Sequence, residues 1–318
     1  MMFTKNLFFY SSLIVLVILS SGCLHLPPYR MKRRKVTIAQ YTSKRHKYCA
    51  DSSKQAPTIT IWIHGTRLLP NPIFRAYIYC PLGLNPITIL DNTYHIRQLA
   101  DAMIEADPVR YPLDNFYVFG WSGRLSEQER TLASIRLYGE LICLRDTYEK
   151  EHGVRPHIRI ITHSHGGNIA LQLARIKQPK DDLVIKELVL LACPVQNKTM
   201  KYIEDPLFDK VYSLYSSLDI LQILAPQFFY RIERKKGNKQ GSELKIPFFS
   251  SRRFCPTPKL AQIKIKLNGR AIFHSKFTCA SFTRLLPQLL ESVDSWQSES
   301  QQYPHDKPDT RRLMSIYT

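Results

Sequence analysis

The sequence has few glycines and few acidic residues for its length. Only 12 of its 318 residues are glycine, which excludes a collagen-like or glycine-rich fibre. Seven cysteines are present, but none forms a Cys-x-x-Cys pair, so a thioredoxin-like site or a zinc site of that kind is not indicated. The sequence also contains no phosphate-binding loop and no dinucleotide fingerprint. We therefore expect no metal and no cofactor.

The shortage of acidic residues leaves a strongly basic chain. Lysine and arginine number 45 against 26 aspartates and glutamates, which gives a formal net charge of +19. A content of 44% apolar residues is too high for a disordered basic tail and is typical of a globular domain. The excess charge indicates an anionic partner, but the sequence carries no recognisable nucleic-acid-binding module. We therefore expect no nucleic-acid partner.

The longest apolar run covers 7–20 (LFFYSSLIVLVILS) and is too short to span a membrane. Its length fits the hydrophobic part of a signal peptide, and small residues lead from it to Cys23. This arrangement resembles a bacterial lipoprotein signal, although Leu19 stands four residues before Cys23 instead of the usual three. The resemblance implies a signal peptide over 1–22 and lipidation of Cys23. An uncleaved anchor and a plain signal peptide remain the alternatives.

A basic linker follows the signal-like segment and covers 23–56. Eight lysines and arginines lie within 30–47, and no acidic residue precedes Asp51. Positive charge next to an apolar segment favours the cytoplasmic side, whereas the lipoprotein resemblance implies a membrane-anchored protein outside the cytoplasm. The same charges suit anionic lipid headgroups. We expect the extracytoplasmic location, and the sequence leaves the side of the membrane open.

Strand-like and helix-like segments alternate from about residue 57 onward. Short apolar runs predict strands at 57–63, 116–121, 158–162, 187–192, 211–215 and 262–267. Helical spacing predicts helices over 127–150, after Gly166, and near the C-terminus, where Pro287 kinks or restarts the helix. This alternation predicts an α/β domain over 57–295 with a parallel sheet, followed by a polar tail over 296–318.

The segment 158–171 (IRIITHSHGGNIAL) runs from a strand through Ser164 into a helix. It resembles the nucleophile elbow of α/β-hydrolases, in which a tight turn presents a serine above the sheet. The turn needs small residues on either side, and Gly166 meets this requirement whereas Thr162 is bulkier than the usual glycine. The resemblance implies an α/β-hydrolase fold, with a mostly parallel central sheet and helices on both faces, and Ser164 as the nucleophile.

A second buried strand ends in His64-Gly65, which resembles the oxyanion loop of lipases and esterases. In that family the backbone N–H after His-Gly and the one after the nucleophile bind the oxyanion. The resemblance assigns these donors to Thr66 and His165, with His64 and Gly65 beside the substrate. Trp121 follows the next strand in a Trp-Ser-Gly segment that recurs in lipase-like hydrolases, and it is either a substrate contact or a core aromatic.

The acid and the base of this family follow the serine in that order. Asp219 comes directly after the strand at 211–215, and His274 lies between the last strand and the last helix. The resemblance therefore implies a Ser164–Asp219–His274 triad. His163 and His165 form a His-x-His pair that suits zinc, but no third ligand stands beside them at metal spacing, so we expect no metal there.

Such a triad implies a serine hydrolase that cleaves carboxylic esters, with an acyl ester or a lipid as substrate and the membrane as a further partner. A thioesterase or an acyltransferase uses the same triad, and a non-catalytic lipoprotein can use the fold as a binding surface. Two segments interrupt the strand-helix alternation. They are the apolar stretch 67–92 and the basic stretch 223–260, and either one is a potential cover for the site.

Overall fold

The computed structural model describes residues 33–37, 56–66, 80–224, 250–302 and 311–317. Ten strands lie in a single sheet. They are β1 (Arg33–Thr37), β2 (Thr58–Ile63), β3 (Gly83–Pro86), β4 (Phe116–Gly120), β5 (His157–His163), β6 (Ile185–Leu191), β7 (Phe208–Tyr215), β8 (Leu260–Leu267), β9 (Arg270–Ala271) and β10 (Arg311–Tyr317).

The described residues also form six α-helices and five short 3-10 turns. The helices are α1 (His95–Ala106), α2 (Glu127–His152), α3 (Gly166–Ile176), α4 (Leu221–Leu224), α5 (Ala280–Thr283) and α6 (Leu286–Gln302). The 3-10 turns are Ile87–Ile89, Leu113–Asn115, Pro179–Asp181, Met200–Glu204 and His274–Thr278. No helix in the described part of the chain is both long enough and apolar enough to cross a membrane.

The strand order is β1-β10-β8-β7-β6-β5-β2-β4-β3, with β9 paired to β8. All neighbours are parallel except β3 with β4 and β9 with β8. Because the chain returns across one face or the other between parallel strands, every strand from β4 to β7 points its carboxyl end to the same edge. This mostly parallel sheet confirms the α/β-hydrolase fold that the sequence predicts.

Two apolar cores cover the two faces of the sheet. Successive strand residues point to opposite faces, so Ile160 packs with α2 and α3 while its neighbour Ile161 packs with α1, α5 and α6. Both isoleucines are fully buried. Strands covered on both sides need apolar residues at nearly every position, which explains the continuous apolar runs in the sequence.

The six predicted strands correspond to β2, β4, β5, β6, β7 and β8, and the predicted helix at 127–150 corresponds to α2. The final apolar stripe is divided between α5 and α6, and Pro287 occupies the second residue of α6, where a missing backbone N–H costs little. Helix α1 and edge strand β3 have no counterpart in the prediction. Residues 33–37 and 311–317, which we assigned to the linker and the tail, form β1 and β10.

An ion cluster fixes the end of the sheet opposite to the strands' carboxyl ends. Arg159 Nε on β5 lies 2.5 Å from Glu187 Oε2 on β6, and Arg110 Nη2 lies 3.2 Å from the same carboxylate. Burial opposes the ionisation of Glu187, but the two guanidinium groups lower its pKa to about 2. This cluster connects the loop before β4 to β5 and β6. The carboxyl ends of the strands lie at the opposite end of the sheet.

Candidate active site

Ser164 occupies the turn between β5 and α3. Its φ angle is 52°, which is the left-handed region that residues with a side chain rarely adopt, and its N–H donates to the Leu191 carbonyl at 2.9 Å. Helix α3 begins two residues later at Gly166. This is the backbone geometry of a nucleophile elbow, and it places the hydroxyl-bearing carbon at the carboxyl end of the central strand.

Two glycines let the elbow touch the turn that follows β2. A Cβ on Gly166 would lie 2.7 Å from the Ile63 carbonyl oxygen and 2.8 Å from that of His64. A Cβ on Gly65 would lie 2.8 Å from Ser164 Cβ. Since all three distances are shorter than a Cβ atom can approach, only glycine at 65 and 166 allows the His64–Thr66 turn to pack this closely against Ser164.

Thr162 replaces the usual first glycine of the elbow without disturbing it. The side chain is fully buried, and its hydroxyl donates to the Val189 carbonyl of β6 at 3.2 Å. The side chain of Thr162 is therefore accommodated within the sheet, where its hydroxyl has the hydrogen-bond partner that a buried polar group requires.

Asp219 and His274 are brought together from positions 55 residues apart in the chain. His274 Nδ1 donates to Asp219 Oδ2 at 2.8 Å, and Asp219 Oδ1 accepts from the Gln222 backbone N–H at 3.0 Å. Asp219 is fully buried behind β7. A carboxylate that accepts the Nδ1 proton leaves the lone pair of a neutral imidazole on Nε2, which is the form that a general base needs.

His163 connects this pair to the elbow. Its ring centroid lies 4.6 Å from that of His274, and its Nε2 donates to the His274 carbonyl oxygen at 3.3 Å. Burial and the neighbouring His274 hold the pKa of His163 well below its usual value, so the ring is neutral. The residue next to Ser164 thus contacts His274 directly, which brings all three predicted triad residues to one edge of the sheet.

The predicted oxyanion donors flank the serine on both sides. His165 follows Ser164 as the N-terminal cap of α3, and Thr66 follows Gly65 in the turn that contacts the elbow. Burial, with the charge of Arg130, holds the pKa of the His165 ring well below its usual value. The His165 ring therefore adds no positive charge at the elbow, whereas the amide dipoles at the start of α3 favour a negative charge there.

Trp121 braces the loop that carries His64. Its indole Nε1 donates to the His64 carbonyl at 2.8 Å, its backbone N–H donates to His64 Nε2 at 3.2 Å, and the two rings stack at 5.7 Å. Trp121 is only 2% exposed. Of the two interpretations left open by the sequence, these contacts favour the buried structural aromatic.

Sequence reasoning missed the polar groups behind the elbow. Asn168 of α3 donates to the Pro194 carbonyl at 3.0 Å and accepts from the Thr199 hydroxyl at 2.6 Å. Gln222 donates to the Cys193 carbonyl at 2.7 Å. These residues carry no local motif, because their partners are distant in the chain, and only the fold brings them together.

Several sequence predictions lie outside the described residues. They are Cys23, the signal-like segment 1–22, the stretch 67–79 and the basic stretch 225–249. Among the residues that the structure describes, no group of three or more histidines, cysteines, aspartates or glutamates is placed to hold a metal ion.

Comparisons with known proteins find no matching family model and no matching curated protein. Among solved structures, an arylesterase is similar with a TM-score of 0.37 and 12% identity, over 75% of this chain and 76% of that one. Carboxyl esterase 2 from Tuber melanosporum has a TM-score of 0.28 and 10% identity, and the similarity covers 58% of this chain and 56% of that esterase. Phospholipase PlaB from Legionella pneumophila in complex with thio-NAD has a TM-score of 0.28 and 14% identity, and the similarity covers 43% of this chain and 25% of that phospholipase. The chain therefore spans about a quarter of that phospholipase and just over half of that carboxyl esterase.

The contact between the elbow and the β2 turn makes a prediction about glycine substitutions. We expect Gly166→Ala to lower the free energy of unfolding by about 1–3 kcal/mol, because the added carbon meets backbone atoms that cannot rotate away. Gly139→Ala on α2 is the matched control, since a Cβ there meets nothing within 4 Å. We expect it to raise stability by about 0.5–1 kcal/mol. Urea unfolding of both variants provides the measurement, and equal stability of the two would contradict the close contact.

Proposed function

We propose that this protein is a serine hydrolase of carboxylic esters, with Ser164 as nucleophile, His274 as general base and Asp219 as the residue that orients the base. The observation that carries the proposal is the 2.8 Å hydrogen bond from His274 Nδ1 to Asp219 Oδ2, together with the left-handed backbone of Ser164. A surface histidine has no need of a fully buried carboxylate, whereas a general base does.

The proposed reaction follows from these contacts. His274 Nε2 takes the hydroxyl proton of Ser164 while the serine oxygen attacks the ester carbonyl carbon. The carbonyl oxygen becomes an oxyanion that accepts hydrogen bonds from the backbone N–H groups of Thr66 and His165. His274 then gives the proton to the leaving alcohol, and an acyl-enzyme remains. Water, deprotonated by His274, releases the acid and restores Ser164.

An acyl chain or a lipid suits the surroundings of the triad. Leu218 and Phe273 directly precede Asp219 and His274, and they are 44% and 66% exposed. Leu221, three positions from Leu218, is 41% exposed. Large apolar side chains facing water on the loops that carry the acid and the base offer contacts to an apolar substrate. We therefore propose an acyl ester or a lipid as the substrate class.

The same residues also support thioester hydrolysis or acyl transfer, which differ only in the leaving group or in the acceptor of the acyl group. A non-catalytic protein that uses the fold as a binding surface is the alternative from another class. The His274–Asp219 hydrogen bond speaks against it, because binding alone needs neither an oriented imidazole nor a strained serine.

We further propose that the protein is an extracytoplasmic bacterial lipoprotein anchored through Cys23. The support is the sequence resemblance of residues 1–23, together with the basic linker that suits anionic headgroups. Anchoring at a membrane would place the apolar side chains around the triad close to lipid substrates.

A fluorophosphonate probe tests the catalytic proposal. We expect the folded protein to be labelled and to hydrolyse p-nitrophenyl esters, with a dependence on acyl-chain length. Ser164→Ala should abolish labelling and lower kcat by at least about 10³-fold, and Asp219→Asn should lower it by a similar factor. Ser217→Ala, at an exposed serine beside the acid, is the control and should retain activity. A folded wild type that resists the probe would refute the serine mechanism.

Metabolic labelling with an alkyne analogue of palmitate tests the anchor. We expect labelling of the wild type and of Cys279→Ala, and none of Cys23→Ala, because only the cysteine after the signal is acylated. Protease added to spheroplasts should degrade the protein if it lies outside the cytoplasm. A membrane-bound but unlabelled wild type would instead indicate an uncleaved apolar anchor, and protection from protease would contradict the proposed location.

A further inference from the structure

A buried arginine without an acidic partner lies behind the elbow. Arg130 is in the first turn of α2 and is 1% exposed. Its Nη2 donates to Gln196 Oε1 at 3.5 Å, but Nε and Nη1 have no hydrogen-bond partner in the structure. Burial lowers the pKa of Arg130 to about 10, so the guanidinium remains charged at neutral pH. Proteins rarely leave a charge buried and unpaired, because the desolvation penalty is then not repaid.

No described acidic group forms an ion pair with Arg130. The charge of Glu127 on the same helix raises the pKa of Arg130 somewhat, but its carboxylate is bound by Lys198. Cys193 lies close to Arg130, but burial raises the pKa of its thiol so far that it stays uncharged. Asp219 is already engaged by His274. Within the part of the chain that the structure describes, no carboxylate therefore forms an ion pair with Arg130.

His165 contributes a second unpartnered donor. Asn168 donates from Nδ2 to the Pro194 carbonyl and accepts at Oδ1 from Thr199, which fixes the orientation of its amide. The same Nδ2 lies 3.5 Å from His165 Nδ1, so that nitrogen is the acceptor and Nε2 carries the ring hydrogen. Nε2 of His165 is buried and has no partner in the structure.

Gln196 contributes a third donor group. Its Oε1 accepts a hydrogen bond from Arg130, which fixes the orientation of the amide. Its Nε2 is buried and also has no hydrogen-bond partner among the described residues. The unpartnered atoms of Arg130, His165 and Gln196 are thus all N–H donors, drawn from α2, the elbow and the loop after β6. A water molecule carries two hydrogens that need acceptors of their own, whereas the unpartnered atoms of the three side chains are all donors. A group with several acceptor oxygens and a negative charge matches both the donors and the charge.

We propose that Arg130, His165 and Gln196 form a binding site for a phosphate-like oxyanion behind the nucleophile elbow. The oxyanion supplies a counter-charge and accepts hydrogen bonds from the three side chains. Its source is either free inorganic phosphate or sulfate, or the phosphate group of a substrate. Binding of the oxyanion ties together α2, the elbow and the loop that carries Gln196.

Thermal unfolding of the full protein in inorganic phosphate tests the site, with sodium chloride at equal ionic strength as the reference. We expect the Tm of the wild type to rise by several degrees and to level off as the site fills. Arg130→Met should lose this response, and should be at least as stable as the wild type without phosphate, because an unpaired buried charge is gone. Arg175→Met, at an exposed arginine of α3, is the matched control and should keep the response.

Gln196→Leu supplies a second variant that keeps the charge. Loss of one donor should weaken the apparent phosphate affinity by about tenfold. A wild type that does not respond to phosphate, with Arg130→Met less stable at every concentration, would overturn the proposal and indicate a structural arginine solvated by water. An unchanged phosphate response in Arg130→Met would overturn it too.

A kinetic comparison identifies the source of the oxyanion and rests on the proposed hydrolase function, whereas the Tm measurement does not. Two esters with the same acyl chain are compared, one neutral and one carrying a phosphate group. If the site holds the phosphate of the substrate, free phosphate should raise KM for the charged ester alone. If the site holds a free anion, added phosphate should affect both esters equally. Either result supports the oxyanion site, provided that Arg130→Met removes the effect.

Discussion

Ser164 has a left-handed backbone that a serine does not adopt by preference, and the surrounding structure is arranged to hold it there. Its N–H is fixed by the Leu191 carbonyl, and the glycines at 65 and 166 let the β2 turn press against it. Helix α3 packs against α2 behind it. The packing of the two apolar cores offsets the free energy that the strained turn costs. The sheet can therefore present a reactive group at its edge.

The central strands could be predicted from the sequence, and so could the place of the candidate site residues just after them, because both carry local signals. Buried parallel strands appear as short apolar runs, and the residues that end them, such as Gly65 and Gly166, are small because the backbone comes close there. Helix α1 has no counterpart in the prediction, although Ile96, Leu99 and Met103 recur at helical spacing. Strands β3, β1 and β10 are edge or near-edge elements with weak apolar patterns.

The buried cluster behind the elbow was not predictable from local pattern. Arg130 and Gln196 are 66 residues apart in the chain. No feature of the sequence around either residue distinguishes it from one that is exposed to water. The net charge of +19 thus includes contributions of two kinds. In our proposals, the positive charge of the linker suits anionic lipid headgroups, whereas the buried Arg130 binds a single small anion. Only the fold distinguishes the two.

The most direct measurement of the proposed chemistry is the site of covalent attachment. After reaction with a fluorophosphonate, digestion and mass spectrometry should locate the phosphonyl group on the peptide that contains Ser164, at one group per chain. Within the described residues, Ser164 is the only hydroxyl-bearing residue with a positive φ, and the ring of the preceding His163 contacts the ring of His274. Attachment to another residue, such as Ser122 in the exposed loop after β4, with Ser164 unmodified, would contradict the assignment of Ser164 as the nucleophile.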